Sequence, residues 1–94
     1  MSYRIDVRPP VRQAIRSWGL SDTMLVEVYL RLEGLDQSRL VRAREPFDGR
    51  VYAFSVVDPE NRLCQHIFVF QIAFSQDEET LIVAKAGHQR RIGI

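Results

Sequence analysis

The stretch that decides the fold is RLCQHIFVFQIAF, which runs from Arg62 to Phe74. It is rich in aromatic and β-branched residues, which is typical of a β-strand. Side chains alternate between the two faces of a strand, so one face is largely aromatic and the other is mixed. We expect the aromatic face to pack on helices as the core, and the mixed face, with its two glutamines, to be open to solvent or a partner. The aromatic face comprises Cys64, His66, Phe68, Phe70, Ile72 and Phe74.

Two further strands flank this one. RVYAFSVVD, from Arg50 to Asp58, precedes it, and DPEN between them is a β-turn pattern with proline at its second position. After it, the polar turn SQDEE, Ser75 to Glu79, leads to TLIVAKA, Thr80 to Ala86, and this last strand is expected to end at Gly87. Strands joined by such short turns predict an antiparallel meander.

The first part of the chain predicts a strand followed by a helix. YRIDV, Tyr3 to Val7, alternates apolar and charged residues as a half-buried strand does. The pair Pro9-Pro10 is typical of a helix start, and Gly19 is a plausible stop. Between them, apolar residues recur at i, i+3, i+4 and i+7 and predict one buried helix face: Val11, Ala14, Ile15 and Trp18.

Residues 22–33 fit two structures. Leu25, Val28, Tyr29 and Leu32 fit a helix face, whereas alternate apolar residues between 26 and 32 also fit a strand. The length and the N-cap pattern at Ser21 or Asp22 favour the helix. The stretch from Gly34 to Arg50 has turn residues at both ends and predicts a long connection.

These elements predict an α+β fold of order β-α-α-β-β-β, with two helices packed on one face of a curved antiparallel sheet. A chain of 94 residues fits one domain, which we place at residues 1–94. Its composition, 46% hydrophobic and 27% charged, is ordinary for a folded soluble protein. Neither a spanning apolar run nor an apolar signal core occurs, so we expect a cytoplasmic protein that does not contact membranes.

Composition also limits the chemistry. The net charge of +1 gives no bulk attraction for nucleic acid, although twelve of the thirteen basic residues are arginines, which suit phosphate. Cys64 is the single cysteine, and it is interpreted as a small core residue, with a reactive thiol as the alternative. One thiol and two histidines argue against a structural metal site, so neither metal nor cofactor is expected.

The segment VAKAGHQRR, Val83 to Arg91, together with the element order and the polar turn before the last strand, resembles the RelE/ParE toxin superfamily. Members are small domains whose last strand commonly runs into a glycine followed by basic residues. The resemblance implies the toxin of a bacterial toxin–antitoxin pair, bound by a cognate antitoxin protein. RelE-like members cut messenger RNA in the ribosome, whereas ParE-like members poison DNA gyrase without being nucleases.

If the chain is a metal-independent endoribonuclease, the resemblance implies a site at its basic end. His88 can exchange protons near neutral pH, and Arg90 or Arg91 can clamp a phosphate with two hydrogen bonds. Lys85 adds a point charge for RNA or phosphate binding. The alternative interpretation is that His88 lies in a solvated tail and that the two arginines only keep the end of the sheet soluble.

The chain also departs from the family pattern. RelE-like nucleases carry basic residues on the middle strands, but VYAFSVV has none, and His66 and Ile67 stand where an arginine often precedes the VFQI-like run. The sequence holds no tyrosine after Arg91. These departures keep a second hypothesis open, a catalytically degenerate or ParE-like protein-binding module. His66 itself is interpreted as a core or sheet-edge histidine.

A second group of basic residues lies near the first helix. Arg8, Arg12 and Arg16 are four apart, so Arg12 and Arg16 share a helix face. That face is predicted either to track phosphates of RNA or simply to be solvated. RLVRAR adds Arg39, Arg42 and Arg44 in the long connection, where acidic neighbours nearly cancel their charge.

Overall fold

The computed structural model describes residues 4–35, 41–42, 50–75 and 80–93. Within these ranges it confirms an α+β fold with two helices and the predicted order of the main elements. The elements are β1 (Arg4–Val7), α1 (Pro9–Ser17), α2 (Asp22–Glu33), β2 (Val41–Arg42), β3 (Arg50–Val57), β4 (Cys64–Phe74) and β5 (Thr80–Ile92).

The helix boundaries follow from local chemistry. Proline occupies the first turn of α1, where its missing N–H costs nothing. Gly19, with φ of 67°, turns the chain between the helices in a conformation that glycine adopts without strain. Ser21 caps α2, because its Oγ accepts a hydrogen bond from the Met24 N–H at 3.3 Å. The interpretation of residues 22–33 as a helix is confirmed.

The sheet has four full strands and the two-residue β2 at one edge, in the order β1-β5-β4-β3-β2. The meander of β3, β4 and β5 is antiparallel, as predicted. The expectation of a wholly antiparallel sheet is wrong, because β1 pairs parallel to β5 and makes the sheet mixed. Only strands joined by a tight hairpin must run antiparallel, and β1 and β5 are separated by both helices and the meander.

The core lies between the helices and the aromatic face of β4. Phe68 and Phe70 are fully buried, and Val11, Ile15, Val28 and Leu32 of the helices join the same cluster. The prediction that the aromatic face of Arg62–Phe74 packs on the helices is therefore confirmed. Trp18, half-buried, closes one end of this core with its ring centroid 5.7 Å from that of Phe68.

β5 extends past Gly87 to Ile92, so the prediction that this strand ends at Gly87 is wrong. The first half of β4 gives residues 86–92 a pairing partner, because Cys64 lies opposite Ile92 and Phe70 opposite Ala86. The pairing shifts by one residue between Gln71 and Ile72, which leaves Ala84 as an extra residue, a β-bulge. The basic end is therefore part of the sheet and is not a tail.

The predicted long connection, Gly34 to Arg50, contains β2, and its residues 36–40 and 43–49, including the EPFDG turn, lie outside the described residues. The same holds for Tyr3 and for residues 76–79 of the predicted polar turn. In the described part of the chain, neither helix combines the length and apolar character needed to cross a bilayer.

Candidate acid–base site

Two histidines and an aspartate form a chain of hydrogen bonds on the helix-covered side of the sheet. His66 Nε2 lies 3.0 Å from Asp58 Oδ2, and His66 Nδ1 lies 2.9 Å from His88 Nε2. His66 is 1% exposed, whereas Asp58 and His88 are half-buried. A ring that uses both nitrogens in hydrogen bonds has a fixed orientation, so the chain of contacts holds His88 in a defined position.

The β3–β4 turn positions Asp58. Its Oδ1 accepts a hydrogen bond from the Glu60 N–H at 2.9 Å, and its backbone N–H donates to the Cys64 carbonyl at 2.9 Å. Aspartate is favoured at such turns because its side chain can bond the backbone two residues further on. One carboxylate oxygen thus holds the turn while the other faces His66.

The sheet register brings the two histidines together. His66 on β4 lies opposite Arg90 on β5, and His88 lies opposite Phe68, so the histidines are diagonal neighbours on one face. Trp18 stacks on His88 with ring centroids 5.1 Å apart, and the ring of Phe68 stacks on His88 at the same separation. These two aromatic contacts support the hydrogen bond in fixing the His88 ring.

The surroundings shift two pKa values downward. The hydrogen bond from His66 lowers the pKa of the Asp58 carboxyl, and the bond from the Glu60 backbone lowers it further. Burial lowers the pKa of His88, and electrostatic interactions with His66 and Arg90 lower it further. Near neutral pH, Asp58 is therefore a carboxylate and His88 a neutral ring.

These charge states determine which nitrogens carry protons. An ionised carboxylate can only accept, so His66 Nε2 carries the proton in the contact with Asp58. When His66 carries a single proton, that proton is on Nε2, so its Nδ1 accepts and His88 Nε2 is the donor. The lone pair of His88 is consequently on Nδ1. Chemically, His88 can take up a proton there and share the positive charge with the Asp58–His66 pair behind it.

A cleft of about 240 Å³ opens beside this chain. One wall is formed by residues 19–21 and Met24, where α1 gives way to α2. The opposite wall includes Asp58, His66 and Arg90. Arg90 is exposed, so its guanidinium can meet an anion that enters from solvent. The cleft thus has a cation beside a proton-accepting chain.

The predicted site residues divide between the two faces of β5. His88 and Arg90 lie on the face that carries the cleft, because they pair with Phe68 and His66. Arg91 lies opposite the exposed Gln65, and Lys85 lies opposite Gln71, on the other face. The structure therefore brings His88 and Arg90 together and places Arg91 and Lys85 away from them. The two arginines do not form one clamp.

The arginines predicted on and near one face of α1 partly make contacts within the fold. Arg12 Nε donates a hydrogen bond to the Val7 carbonyl at 3.1 Å, and its guanidinium lies 5.8 Å from the centre of the Tyr29 ring. Arg16 is exposed on the same helix, and Arg8 forms an ion pair with Asp6 at 3.4 Å. Arg39, Arg44 and the side chain of Arg42 lie outside the described residues.

Sequence reasoning missed the partners of His88. Asp58 was assigned to the end of a strand and the turn after it, and His66 to the core or a sheet edge; the core assignment is correct for the burial of His66 but omits its hydrogen bonds. A signal exists in the alternation that places His66 on the same face as Phe68, two residues away. The extra residue at Ala84, which turns His88 toward that face, has no comparable signal.

Cys64 completes a group with metal-ligating atoms. It is 3% exposed, and its Sγ lies 3.9 Å from His66 Nε2. Ligand atoms of Asp58, Cys64 and His66 all lie within 4.8 Å of one another. The expectation that one thiol and two histidines disfavour a metal site overlooked the carboxylate of Asp58.

Comparison with protein-family models, curated proteins and solved structures finds no match to this chain, so the site is interpreted from its own geometry.

Proposed function

We propose that this chain is a RelE/ParE-like toxin of a toxin–antitoxin pair that binds messenger RNA and cleaves it in the ribosome without a metal ion. The observation that carries the proposal is the Asp58–His66–His88 chain of hydrogen bonds, whose first two members line one cleft together with Arg90. Internal RNA cleavage needs a proton acceptor next to a cation that stabilises a crowded phosphate. The two predicted residues that share this face have those properties.

The reaction follows from the proton positions. The 2′-hydroxyl oxygen attacks the adjacent phosphorus while His88 Nδ1 takes its proton. Arg90 pairs with the phosphate oxygens as negative charge develops on them. The bond from phosphorus to the 5′ oxygen breaks, and the imidazolium of His88 returns the proton to that oxygen. The products are a 2′,3′-cyclic phosphate and a free 5′-hydroxyl.

Asp58 and His66 act in this scheme by positioning and by charge. They hold the His88 tautomer that has its lone pair on Nδ1, and they stabilise the imidazolium that forms during the reaction. The order of the helices and strands and the glycine followed by basic residues support the family assignment, which implies an antitoxin as the partner and the cytoplasm as the location.

One observation favours the second hypothesis, a non-nuclease member that acts by contact. Near the cleft the β3 side chains on the helix-covered face are uncharged, and the basic residue of that face, Arg50, lies at the far end of the strand opposite Ile72. The uncharged side chains are Tyr52, Phe54 and Val56. In this case Arg90 would bind an anionic surface of a protein target and His88 would have only a structural role.

The adjacent residues Arg90 and Arg91 provide a matched test, since they lie on opposite faces of one strand. We expect Arg90→Gln to slow cleavage of a messenger RNA in a translating bacterial extract by about 100-fold, and His88→Gln by about 10²–10⁴-fold. Arg91→Gln is expected to change the rate less than about twofold, because it does not face the cleft. Primer extension and the 2′,3′-cyclic phosphate end identify the product.

The nuclease hypothesis is wrong if growth arrest in a bacterial host persists unchanged in a variant that lacks both His88 and Arg90. It is also wrong if a messenger with a single 2′-deoxy substitution at the cleavage position is still cut there. Growth arrest with intact messenger, lost in Arg90→Gln but kept in Arg91→Gln, would support the contact hypothesis instead. If wild-type chain causes no growth defect, the toxin assignment itself is wrong.

A further inference from the structure

We propose that Asp58, Cys64 and His66 form a binding site for one divalent transition-metal ion of the zinc class, and that the bound ion switches off the acid–base chain. The three residues come from the β3–β4 turn and the start of β4, and none of them was expected to bind metal. The metal site stands on its own geometry. Its inhibitory effect rests on the function proposed above.

The distances suit a small ion after modest movement. Tetrahedral zinc, with bonds of about 2.0–2.3 Å, places neighbouring ligand atoms about 3.4–3.6 Å apart. Here His66 Nε2 is 3.0 Å from Asp58 Oδ2 and 3.9 Å from Cys64 Sγ, and all three ligand atoms lie within 4.8 Å of one another. Rotation of the half-buried Asp58 side chain can bring the third separation into range, since the other two groups are held in the sheet.

The donor types select the metal. Thiolate and imidazole are ligands that zinc shares with other late first-row metals, and a carboxylate completes the three protein ligands typical of an open site. The charges of a thiolate and a carboxylate neutralise a divalent cation. That balance matters here because Cys64 and His66 are almost fully buried, where an isolated charge would be costly.

The metal would compete with the hydrogen-bond chain for one atom. In the metal-free protein, His66 Nε2 carries the proton that it donates to Asp58, and a metal ion bound at Nε2 replaces that proton. His66 must then carry its proton on Nδ1 and donate it to His88 Nε2, 2.9 Å away. A ligating histidine usually donates its other N–H to such a partner, so His88 supports the metal-bound state as well.

This exchange of tautomers gives the inhibitory effect. Once His88 Nε2 accepts a hydrogen bond, the His88 proton must be on Nδ1, the nitrogen that takes the substrate proton in the proposed reaction. In the metal-bound protein, His88 therefore has no unprotonated nitrogen free to accept the substrate proton. Metal binding at the three side chains and RNA cleavage by His88 therefore exclude each other, because each requires a different tautomer of His88.

Cobalt(II) titration of the purified, metal-free chain tests the site directly. The sequence contains a single cysteine, so any thiolate-to-cobalt absorption band identifies Cys64 as a ligand. We expect one equivalent of cobalt to produce the band and one equivalent of zinc to displace it. Cys64→Ser should abolish the band, and Asp58→Asn and His66→Gln should each weaken metal binding by at least about tenfold.

Glu60→Gln is the matched control, because Glu60 is a second carboxylate that lines the same cleft but does not belong to the group. It should change cobalt affinity less than about twofold. Thermal melting of each variant, with Cys64→Ala as a second replacement of the thiol, shows whether a loss of binding reflects a loss of folding. The site is disproved if the folded wild type gives no thiolate band, or if Cys64→Ser binds cobalt equally well.

Cleavage assays then separate this inference from the proposed function. Equimolar zinc is expected to suppress cleavage by the wild type, whereas the cleavage rate of Cys64→Ala with zinc should equal that variant's own rate without metal. If the metal-free wild type does not cleave RNA, the proposed function fails while the cobalt result still decides the site. If zinc binds with the thiolate band and cleavage continues unchanged, the switch is overturned.

Discussion

The two halves of β5, divided by the bulge at Ala84, have opposite roles. Residues 81–83 are paired on both sides, with β1 and with β4, and Leu81 and Val83 are fully buried there. Residues 85–92 pair with β4, and they lie beyond the pairing of β5 with β1, which ends at Val83. This second half carries His88 and Arg90. The half enclosed by two strands builds the core, and the half beyond β1 is accessible to solutes.

The bulge lets both halves face the same helices. Leu81 and Val83 are odd-numbered and buried, whereas His88 and Arg90 are even-numbered and pair with residues on the same face of β4. In a regular strand, residues an odd number apart point to opposite faces. The extra residue at Ala84 brings His88 and Arg90 to the same face as Leu81 and Val83, so one continuous strand contributes to both the core and the candidate site.

The largest expected effect separates the halves by stability. Leu81→Ala should lower the free energy of unfolding by about 2–5 kcal/mol, because Leu81 is 0% exposed and its removal leaves a cavity. Ile92→Ala, at the far end of the strand where Ile92 is 70% exposed, should change it by less than about 0.5 kcal/mol. Urea unfolding followed by fluorescence of Trp18, the single tryptophan, measures both.

A similar loss for both variants would show that the second half of β5 is as much a part of the core as the first. The two halves of β5 would then not differ in their contribution to the core. A small loss for Leu81→Ala would contradict the core described for residues 81–83.

An insertion and a deletion test the bulge. One alanine inserted between Ala86 and Gly87 moves His88 and Arg90 to the open face, so cleavage and the His66–His88 hydrogen bond should be lost, at a cost of about 1–3 kcal/mol. Deletion of Ala84 removes the extra residue and leaves both flanking registers unchanged, so it should cost less than about 1 kcal/mol. Nitrogen-15 spectra of the imidazole rings report whether the hydrogen bond is present.

If the Ala84 deletion also abolishes the hydrogen bond between the rings, the bulge does more than adjust the register. Its local bend would then be needed to bring His88 to His66. If the insertion is tolerated with full activity, His88 and Arg90 are not the working residues.

Much of the fold could be predicted because it follows from local patterns. The alternation in Arg62–Phe74, the cap at Ser21 and the turn at Asp58–Asn61 each act over a few residues. The parallel pairing of β1 with β5 could not be predicted in this way. It joins residues about seventy-six positions apart, and Arg4 opposite Thr80 has no local signature.

The site was predicted only in part for the same reason. His88, Arg90 and Arg91 were grouped as candidates because residues beyond the predicted strand end at Gly87 could not be assigned to a face, and Lys85 was added for its positive charge. Because residues 85–92 form a strand, successive side chains lie on opposite faces of the sheet. The strand register then places His66 within hydrogen-bond distance of His88. Asp58 reaches His66 from the β3–β4 turn. The sequence predicted this turn, but it did not indicate that the Asp58 side chain would contact a histidine.

The smallest expected effect concerns Gly87, where the strand was predicted to stop. Gly87 lies inside β5, and a Cβ added there would meet only the Val69 carbonyl oxygen, at 4.0 Å. Gly87→Ala should therefore raise the free energy of unfolding by about 0.4–1 kcal/mol, because alanine restricts the unfolded chain. Gly19→Ala is the control and should lower it by about 1–2 kcal/mol, since Gly19 has a φ of 67°. A loss of stability in Gly87→Ala, measured by thermal unfolding, would mean that the glycine interrupts the strand, and the second half of β5 would not be a rigid support for His88.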